Sequence, residues 1–589
     1  MKYRLYENSN NNTSNVIKEV LKNRGINDYK KYLNLDESVL IPYQRLDNID
    51  SAVQLLMNHF NQKNKIEILV DSDPDGFCSA AMLYSYIKKL DNEYPVNYIM
   101  HTKAKSHGLG DDVTVPEDTN LLIIPDAGTN DTEECKKISD KGIDILILDH
   151  HESEGNNPYA IIVNNQMSME YPNKDFCGAG IVYKFLQALD TETWNELADD
   201  YLDLCALANI SDVMDMRSFE TRYVVNAGLS NINNKCFQAL IRTQDYSISG
   251  EINIHNIQWY ITPILNGMIR VGSNDEKELL FRAFIEQDEF FEYKKRATKN
   301  KPSEIIQESI YDRAARLCKN AKSRQDKMRE KGVDAIAEIV NNMPSDNKIV
   351  MADVTEVLDS GLAGVVAIKI AEQYNKPCIL LKRYFDKKTN TEMFGGSARN
   401  INNSPIDSFK DIVNSTGVIS GKGHANAFGI VDLPVGDKDK ALNSINSILK
   451  DTVYDSTYKV DFILDINDIT ISLIQELSQF KNIVGQGIED PQLAIENISL
   501  TRDCFEVFGK NEDTISFAIN GIKFLQFKCK EGNQLYDFVQ DAWSENDYIS
   551  FNIVGRASIN DYNGIKTPQI TIEDINVMDV RMNSEDENW

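Results

Sequence analysis

The stretch Ile66-Glu67-Ile68-Leu69-Val70-Asp71-Ser72-Asp73-Pro74-Asp75-Gly76 decides how the chain is read. Its first five residues form an apolar run of strand length, and Ser79 to Lys89 carry a helical pattern. The stretch is therefore a strand ending in a carboxylate-rich loop that opens a helix. In open α/β sheets, ligands sit outside the carboxyl ends of the strands. Asp71, Asp73 and Asp75 repel one another at such a point and call for a cation. The same residues also suit a polar loop that caps a helix.

Working outward, the alternation continues. Leu121 to Pro125 is a buried-strand pattern ending in Asp126, and Thr132 to Lys141 is helical. Ile143 to Leu148 is a second such strand, ending in Asp149-His150-His151, and Ala160 to Asn165 is a third, shorter one. Residues 178 to 230 are mostly helical. Strands alternating with helices at this spacing mean a parallel, doubly wound sheet. Its strand ends lie along one edge, so acids and histidines distant in the chain converge there. Asp212, after the apolar helix Leu202 to Ile210, adds a further acid. Carboxylates with imidazoles suit Mn²⁺ or Mg²⁺ and lack the thiolates of structural zinc. A carboxylate bridging two ions would make a two-metal site for phosphoryl transfer. A core-facing histidine is the alternative for one of His150 and His151.

Residues 1 to 60 read as a polar helical segment, with Val16 to Leu21 and Ala52 to Phe60 amphipathic. Beyond 271 the alternation breaks. Pro302 opens a long helical pattern, Ser303 to Met343, interrupted near Gly332. Lys294, Lys295, Arg296, Lys299 and Lys301 precede it; Arg313, Arg316, Lys319, Lys322, Arg324, Lys327, Arg329 and Lys331 lie within it. These residues are either a solvated helix face or a wall for a phosphate backbone. A second α/β unit follows, with strands at Lys348 to Asp353 and Cys378 to Lys382 and a helix from Ala363 to Tyr374 between them. It carries Gly395-Gly396-Ser397-Ala398-Arg399 and Gly421-Lys422-Gly423-His424. From 455 onward short alternating runs indicate a β domain, with Phe505, Phe508, Phe517, Phe524 and Phe527 divided between core and a stacking surface. The expected divisions are 1–60, 61–275, 276–345, 346–454, 455–580 and an acidic tail, 581–589.

A chain of 589 residues is too long for one core. Its net charge, 62 − 90 = −28, argues against a general nucleic-acid coat protein but allows an enzyme with a local basic channel. Nine cysteines show no CxxC spacing, as expected of reduced thiols in a cytoplasm. No apolar leader follows Met1-Lys2-Tyr3-Arg4, and no run has membrane-spanning length, so neither secretion nor membrane association is expected.

Asp149-His150-His151, downstream of a DxDxDG loop, resembles the signature of the DHH phosphoesterase superfamily. His107-Gly108-Leu109-Gly110, Asp126-Ala127-Gly128, Cys177-Gly178-Ala179-Gly180, Asp212-Val213 with Arg222 and Gly228, and Pro263-Ile264-Leu265-Asn266 with Arg270 resemble successive elements of its RecJ branch. The two glycine-rich stretches resemble its DHHA1 domain. Val484 to Pro491 resembles the turn entering its OB domain. Departures are Ile264 where the branch has arginine, Gly267-Met268-Ile269, and Leu69 where related enzymes carry a metal-ligating histidine.

The resemblance implies a parallel DHH domain, a long connecting helix, a smaller α/β DHHA1 domain and an OB-like β-barrel. It implies Asp73, Asp75, Asp126, His150 and Asp212 as ligands of two Mn²⁺ or Mg²⁺ ions, with Asp126 bridging and Asp71 a further candidate. His151 would contact the scissile phosphate and Asp149 would orient a histidine. His107, Arg270, Ser397, Arg399, Gly423 and His424 would bind phosphate or nucleic acid. The implied protein is a cytoplasmic, monomeric exonuclease acting 5′ to 3′ on single-stranded DNA in repair, recombination or replication, with a single-strand-binding protein as candidate partner. The alternatives are a DHH oligoribonuclease or cyclic-dinucleotide phosphodiesterase, and a non-catalytic replication factor.

Overall fold

The computed structural model describes residues 1–103, 106–248, 250–295, 297, 302–386, 390–402, 404–454, 457–509, 511–541, 547–562 and 564–581. Arg296, Lys299 and Lys301 of the basic stretch, and the acidic tail beyond 581, lie outside the described residues. Two compact units emerge: Asn34–Gly332 with Gly485–Gly487, and Met1–Leu33, Val333–Val484 and Ile488–Trp589.

The chain opens on a strand, β1 (Lys2–Leu5), where a helical segment was expected. Helices at Val16–Asn23 and Ile49–Asn61 match the two amphipathic segments. The parallel sheet then forms from β2 (Ile66–Val70), β3 (Val96–Met100), β4 (Leu121–Pro125), β5 (Asp144–Asp149) and β6 (Ile161–Asn164). Their order is β3-β2-β4-β5-β6, with every pairing parallel. Strands β2 and β4 are buried at every position, as a sheet covered on both faces requires, and the one charged residue of β2, Glu67, is paired with Lys65 at 3.2 Å. Strand β3 was not expected. As an edge strand it is only partly buried, so its sequence lacks a continuous apolar run. The chain leaves β2 toward β3 and returns on β2's other side as β4. The topological switch point therefore lies between β2 and β4, where the Asp71–Asp75 loop and Asp126 emerge.

The helix Pro74–Leu90 starts on that loop. Pro74 fills its first turn, and the Asp73 carboxylate accepts from the Gly76 amide at 2.9 Å. Gly76 is required because a Cβ there would stand 2.5 Å from the Asp71 Cβ.

Two expectations for the connector are corrected. The segment after Pro302 is first a strand: β8 (Glu304–Ser309) pairs antiparallel with β7 (Phe290–Lys295). The helix then runs from Ile310 to Asn341 without a break at Gly332. One glycine costs a helix only about 1 kcal/mol, which a 32-residue helix absorbs. Within it Arg316 pairs with Glu308, Arg324 with Glu276, and Lys322 and Arg329 with Asp326. These four basic side chains are thus paired within the chain.

In the other unit, β9 (Val350–Asp353), β10 (Cys378–Asp386), β11 (Thr391–Arg399), β12 (Ser420–His424) and β13 (Ala427–Pro434) form a sheet of order β12-β13-β11-β10-β9. The helix Ala363–Tyr374 packs on it. Further along, β14 (Thr457–Val460) pairs in parallel with β1, Lys2 opposite Thr457. Then β15 (Phe462–Asp465), β16 (Leu493–Thr501), β17 (Glu506–Phe508), β18 (Thr514–Ile519), β19 (Ile522–Gln526), β20 (Tyr548–Tyr562) and β21 (Ile565–Arg581) form a seven-stranded sheet. Phe505, Phe517 and Phe524 fill its core, the last two stacked at 4.8 Å, whereas Phe508 and Phe527 are exposed.

The N-terminal segment is tied into this unit by a buried ion pair. Arg24 grips both carboxylate oxygens of Asp461, at 2.8 and 3.0 Å. Both side chains are almost fully enclosed. Truncating one partner strands the other charge in the interior. Arg24→Ala is expected to destabilise this unit by about 3 kcal/mol, read as a lowered denaturation midpoint. An unchanged midpoint would mean that Asp461 finds other donors.

Candidate metal centre

Four strand ends and one helix end deliver the site. Asp71, Asp73 and Asp75 follow β2, His101 follows β3, Asp126 follows β4, and Asp149, His150 and His151 close β5. Asp212 caps the carboxyl end of the helix Leu202–Ser211. Three groups of ligand atoms each lie within 4.8 Å of one another: Asp71, Asp73 and Asp126; Asp75, His150 and Asp212; and Asp126, Asp149, His150 and His151. All the residues expected to hold metal are thus brought together. His150 Nε2 lies 3.2 Å from Asp126, 3.5 Å from Asp212 and 3.9 Å from Asp75.

The members differ in how they are held. Asp75 is fixed by the helix Gly178–Thr193, whose first amides, Gly178 and Ala179, donate to it at 2.7 and 2.8 Å. Ser79 donates to it at 3.1 Å. Asp126 adopts a left-handed backbone, φ 64°, that turns its side chain inward. Gly178 makes room for it: a Cβ at that position would stand 2.5 Å from the Asp126 Cβ. Both Asp126 oxygens are buried without a hydrogen-bond partner. A buried carboxylate in that state is costly unless a cation meets it.

Electrostatics point the same way. Burial pushes Asp73 up to about 6, with the Asp71 and Asp75 charges adding to it. Burial and the surrounding carboxylates raise Asp126 and Asp212 well above the usual carboxylate range. Asp212 also meets the negative end of its helix. Burial lowers His150, leaving the neutral imidazole that a metal ligand requires. Buried oxygens without a hydrogen bond, mutually repelling acids and a neutral imidazole together fit divalent cations of the Mn²⁺ or Mg²⁺ type.

Asp71 and Asp149 are different. Burial opposes their ionisation, but hydrogen bonds overcome it and hold both low, Asp71 at about 2. Asp71 accepts from His107 Nδ1 at 2.8 Å and the Gly108 amide at 2.9 Å, and His101 Nε2 lies 3.5 Å away. Its charge in turn pushes His107 up to about 9, against the effect of burial. Asp149 accepts from His151 Nδ1 at 2.8 Å and from the amides of His150, His151 and Thr129. The histidine that it orients is thus His151, whose other ring nitrogen stays available. Asp149→Asn is expected to put an amide against His151 Nδ1 in place of the carboxylate and lower kcat about 10- to 100-fold. The measurement is kcat across pH; an unchanged profile would exclude an orienting role.

Arg270 lines a pocket of about 430 Å³ together with Asp73, Asp75 and Asp212. Ile264, at the departure from the arginine pattern, is buried. Ser397, Arg399, Gly423 and His424 lie in the other unit. Register places Arg399, Ala427 and His424 in one row across β11, β13 and β12, and Ser397, Gly429 and Lys422 in the next. Paired residues share a face, so Ser397, Arg399, Lys422 and His424 stand on one side of the sheet, separated by small residues. Arg399 also reaches the first turn of the helix Ala363–Tyr374, its Nη2 2.7 Å from where a Gly364 Cβ would sit.

His101 and Trp259 were missed in the sequence. His101 follows the unrecognised strand β3, and recognising that strand would have flagged it. Trp259 lines the Arg270 pocket, and no local signal marks it.

The fold and site define a class. The description "DHH family, N-terminal domain" matches residues 65–209, and "RecJ OB domain" matches residues 460–574. A SPbeta prophage-derived protein of Bacillus subtilis, YorK, named as a single-strand DNA-specific exonuclease, is 35% identical over 586 residues, covering 98% of each chain. The single-stranded-DNA-specific exonuclease RecJ of Bacillus subtilis is 26% identical over 545 residues, 90% of this chain and 63% of that one. The crystal structure of RecJ in complex with Mn²⁺ from Thermus thermophilus superposes with a TM-score of 0.70 at 17% identity, covering 96% of this chain and 76% of that one. The chain belongs to the RecJ family of DHH proteins. No helix among the described residues is long and apolar enough to cross a membrane.

Proposed function

We propose that this chain is a divalent-cation-dependent exonuclease that hydrolyses the phosphodiester bonds of single-stranded DNA from the 5′ end. The observation that carries this reading is the carboxylate cluster at the switch point, with both Asp126 oxygens buried and without a hydrogen bond. The end-to-end likeness to a protein named as a single-strand DNA-specific exonuclease supports the choice of substrate.

Asp73, Asp75, Asp126, His150 and Asp212 would hold two Mn²⁺ or Mg²⁺ ions, with Asp126 between them. Such a pair supplies an activated water and neutralises charge developing on the attacking and leaving oxygens. The protein's own residues hold the strand. His151, fixed through Nδ1 by Asp149, presents Nε2 to a phosphate oxygen. His107, its ring 4.7 Å from that of His151, is cationic at neutral pH and adds positive charge on the same side. Arg270 offers a bidentate guanidinium in the pocket beside the acids. Asp71 acts by holding His107 and the Gly108 amide in place. In the other unit, Ser397, Arg399, Gly423 and His424 bind phosphate or nucleic acid, with Arg399 and Ser397 beside Gly364 in the first turn of the helix Ala363–Tyr374. The protein works as a cytoplasmic monomer in DNA repair, recombination or replication, with a single-strand-binding protein as its partner.

The test is digestion of 5′- and 3′-labelled oligonucleotides, single- and double-stranded, with Mn²⁺, Mg²⁺ or chelator. The expected result is metal-dependent release of the 5′ label as mononucleotide from single strands only. Release of the 3′ label first would overturn the polarity. Equal digestion of duplex, or activity in chelator, would overturn the whole reading.

A further inference from the structure

One wall of the pocket beside the carboxylates has a chemistry that hydrolysis does not use. It is formed by Gln258, Trp259, Thr262, Asn266 and Arg270. These residues recur at helical spacing on one face. The opposite face of the same segment, Ile257, Ile261, Ile264, Leu265 and Met268, is buried in the core. The outer face of such an amphipathic segment normally carries solvated polar groups. Here it carries a tryptophan, Trp259, that is 62% exposed. Trp is among the more deeply buried residue types on average, so this exposure calls for a cause. The turn presenting it, Ile257–Ile261, is π-helical, a rare conformation that gathers at functional sites. Its aromatic neighbour, His255, lies 6.1 Å away between ring centroids and is tilted by 42°, so it does not stack flat on the indole.

We propose that Trp259 is a base-stacking platform: its indole takes a nucleobase of the strand whose phosphate lies at Asp73, Asp75 and Asp212. This rests on the nuclease reading given above. Every base has a π-face, so stacking holds the strand without reading its sequence. Trp259 is thus a substrate-binding residue that acts on affinity, while the acids act on the chemical step.

The test compares wild type, Trp259→Ala and Trp259→Phe on single strands. One set of strands carries every base; in the others one abasic nucleotide occupies each of the first four positions in turn. For wild type, one abasic position should raise KM about ten-fold with kcat little changed. Trp259→Ala should raise KM about ten-fold on the complete strand and show no further rise at that abasic position. Trp259→Phe should recover most of the loss, which a merely packing role would not predict. Losses from Trp259→Ala and from the abasic nucleotide that multiply at every position overturn the proposal. So does a wild type that digests strands yet is indifferent to every abasic position, and that result leaves the nuclease reading standing. A wild type that digests no single strand with any divalent metal overturns both.

Discussion

Replacing Asp126 by Ala is expected to lower strand cleavage by about 10³-fold or more while single-strand binding stays within a few-fold. The size follows from where this side chain sits. It belongs to two of the three groups of candidate ligands, so its loss opens both at once. Neither of its oxygens has a hydrogen-bond partner, so no structural hydrogen bond is lost with it. Removing it instead relieves a buried carboxyl crowded by other carboxylates. The metal-free Asp126→Ala and Asp126→Asn variants should therefore melt no lower than the metal-free wild type. The decisive comparison is initial rate against strand affinity for the three proteins. Wild-type cleavage by Asp126→Ala would remove the metal assignment. A collapse in thermal stability would show instead that Asp126 is a packing residue of the loop that meets Gly178.

Mn²⁺ should stabilise the protein much more at pH 8 than at pH 5. A carboxyl whose folded pKa lies above its unfolded value binds its proton more tightly in the folded chain. Its stabilising contribution is complete below about pH 4 and is lost as pH rises through the folded value. That value is about 6 for Asp73, and Asp126 and Asp212 are raised well above the usual range as well. His107, at about 9, contributes with the same sign between about pH 6.5 and its folded value. Asp71 and Asp149 have the opposite sign, but their contributions are lost only in acid, below the window in question; the lowered His150 also has the opposite sign and is countered by the raised His151 beside it. The metal-free protein should therefore weaken from pH 5 to pH 8. Ligand carboxylates must be deprotonated before they bind a cation, so at pH 5 the ion has to displace protons and at pH 8 it displaces fewer. At a thousandfold excess of free ion over Kd, one site adds about 4 kcal/mol. The measurement is the melting temperature with chelator and with Mn²⁺ at both pH values. A gain equal at the two pH values, or larger at pH 5, would mean that the acids are not the cation's ligands.

Much of this site was readable before the fold was known. The apolar runs before Asp71, Asp126 and Asp149 are strands because the sheet is covered on both faces, and such burial leaves a local signature. That the strand ends are acidic is equally local. What escaped was whatever depends on a partner far away in the chain. Strand β3 is an edge strand without a continuous apolar run, so the His101 that follows it went unseen. The first residues looked helical, yet Lys2–Leu5 is a strand because β14, which begins at Thr457, receives it from far along the chain.

Amino-acid order alone determined the parallel sheet, the place of the carboxylates along its rim, and a helix after the Asp71–Asp75 loop, read as Ser79 to Lys89 and observed from Pro74 to Leu90. Periodicity and loop composition act over a few residues, and those residues are adjacent in the chain. Tertiary structure alone decided how the acids divide: Asp71 and Asp149 tied down by donors, Asp73, Asp126 and Asp212 left repelling one another. It alone exposed Trp259 and enclosed Arg24 with Asp461. Charge state and exposure are set by desolvation and by neighbours that folding brings within a few ångströms, and neither is written in local spacing.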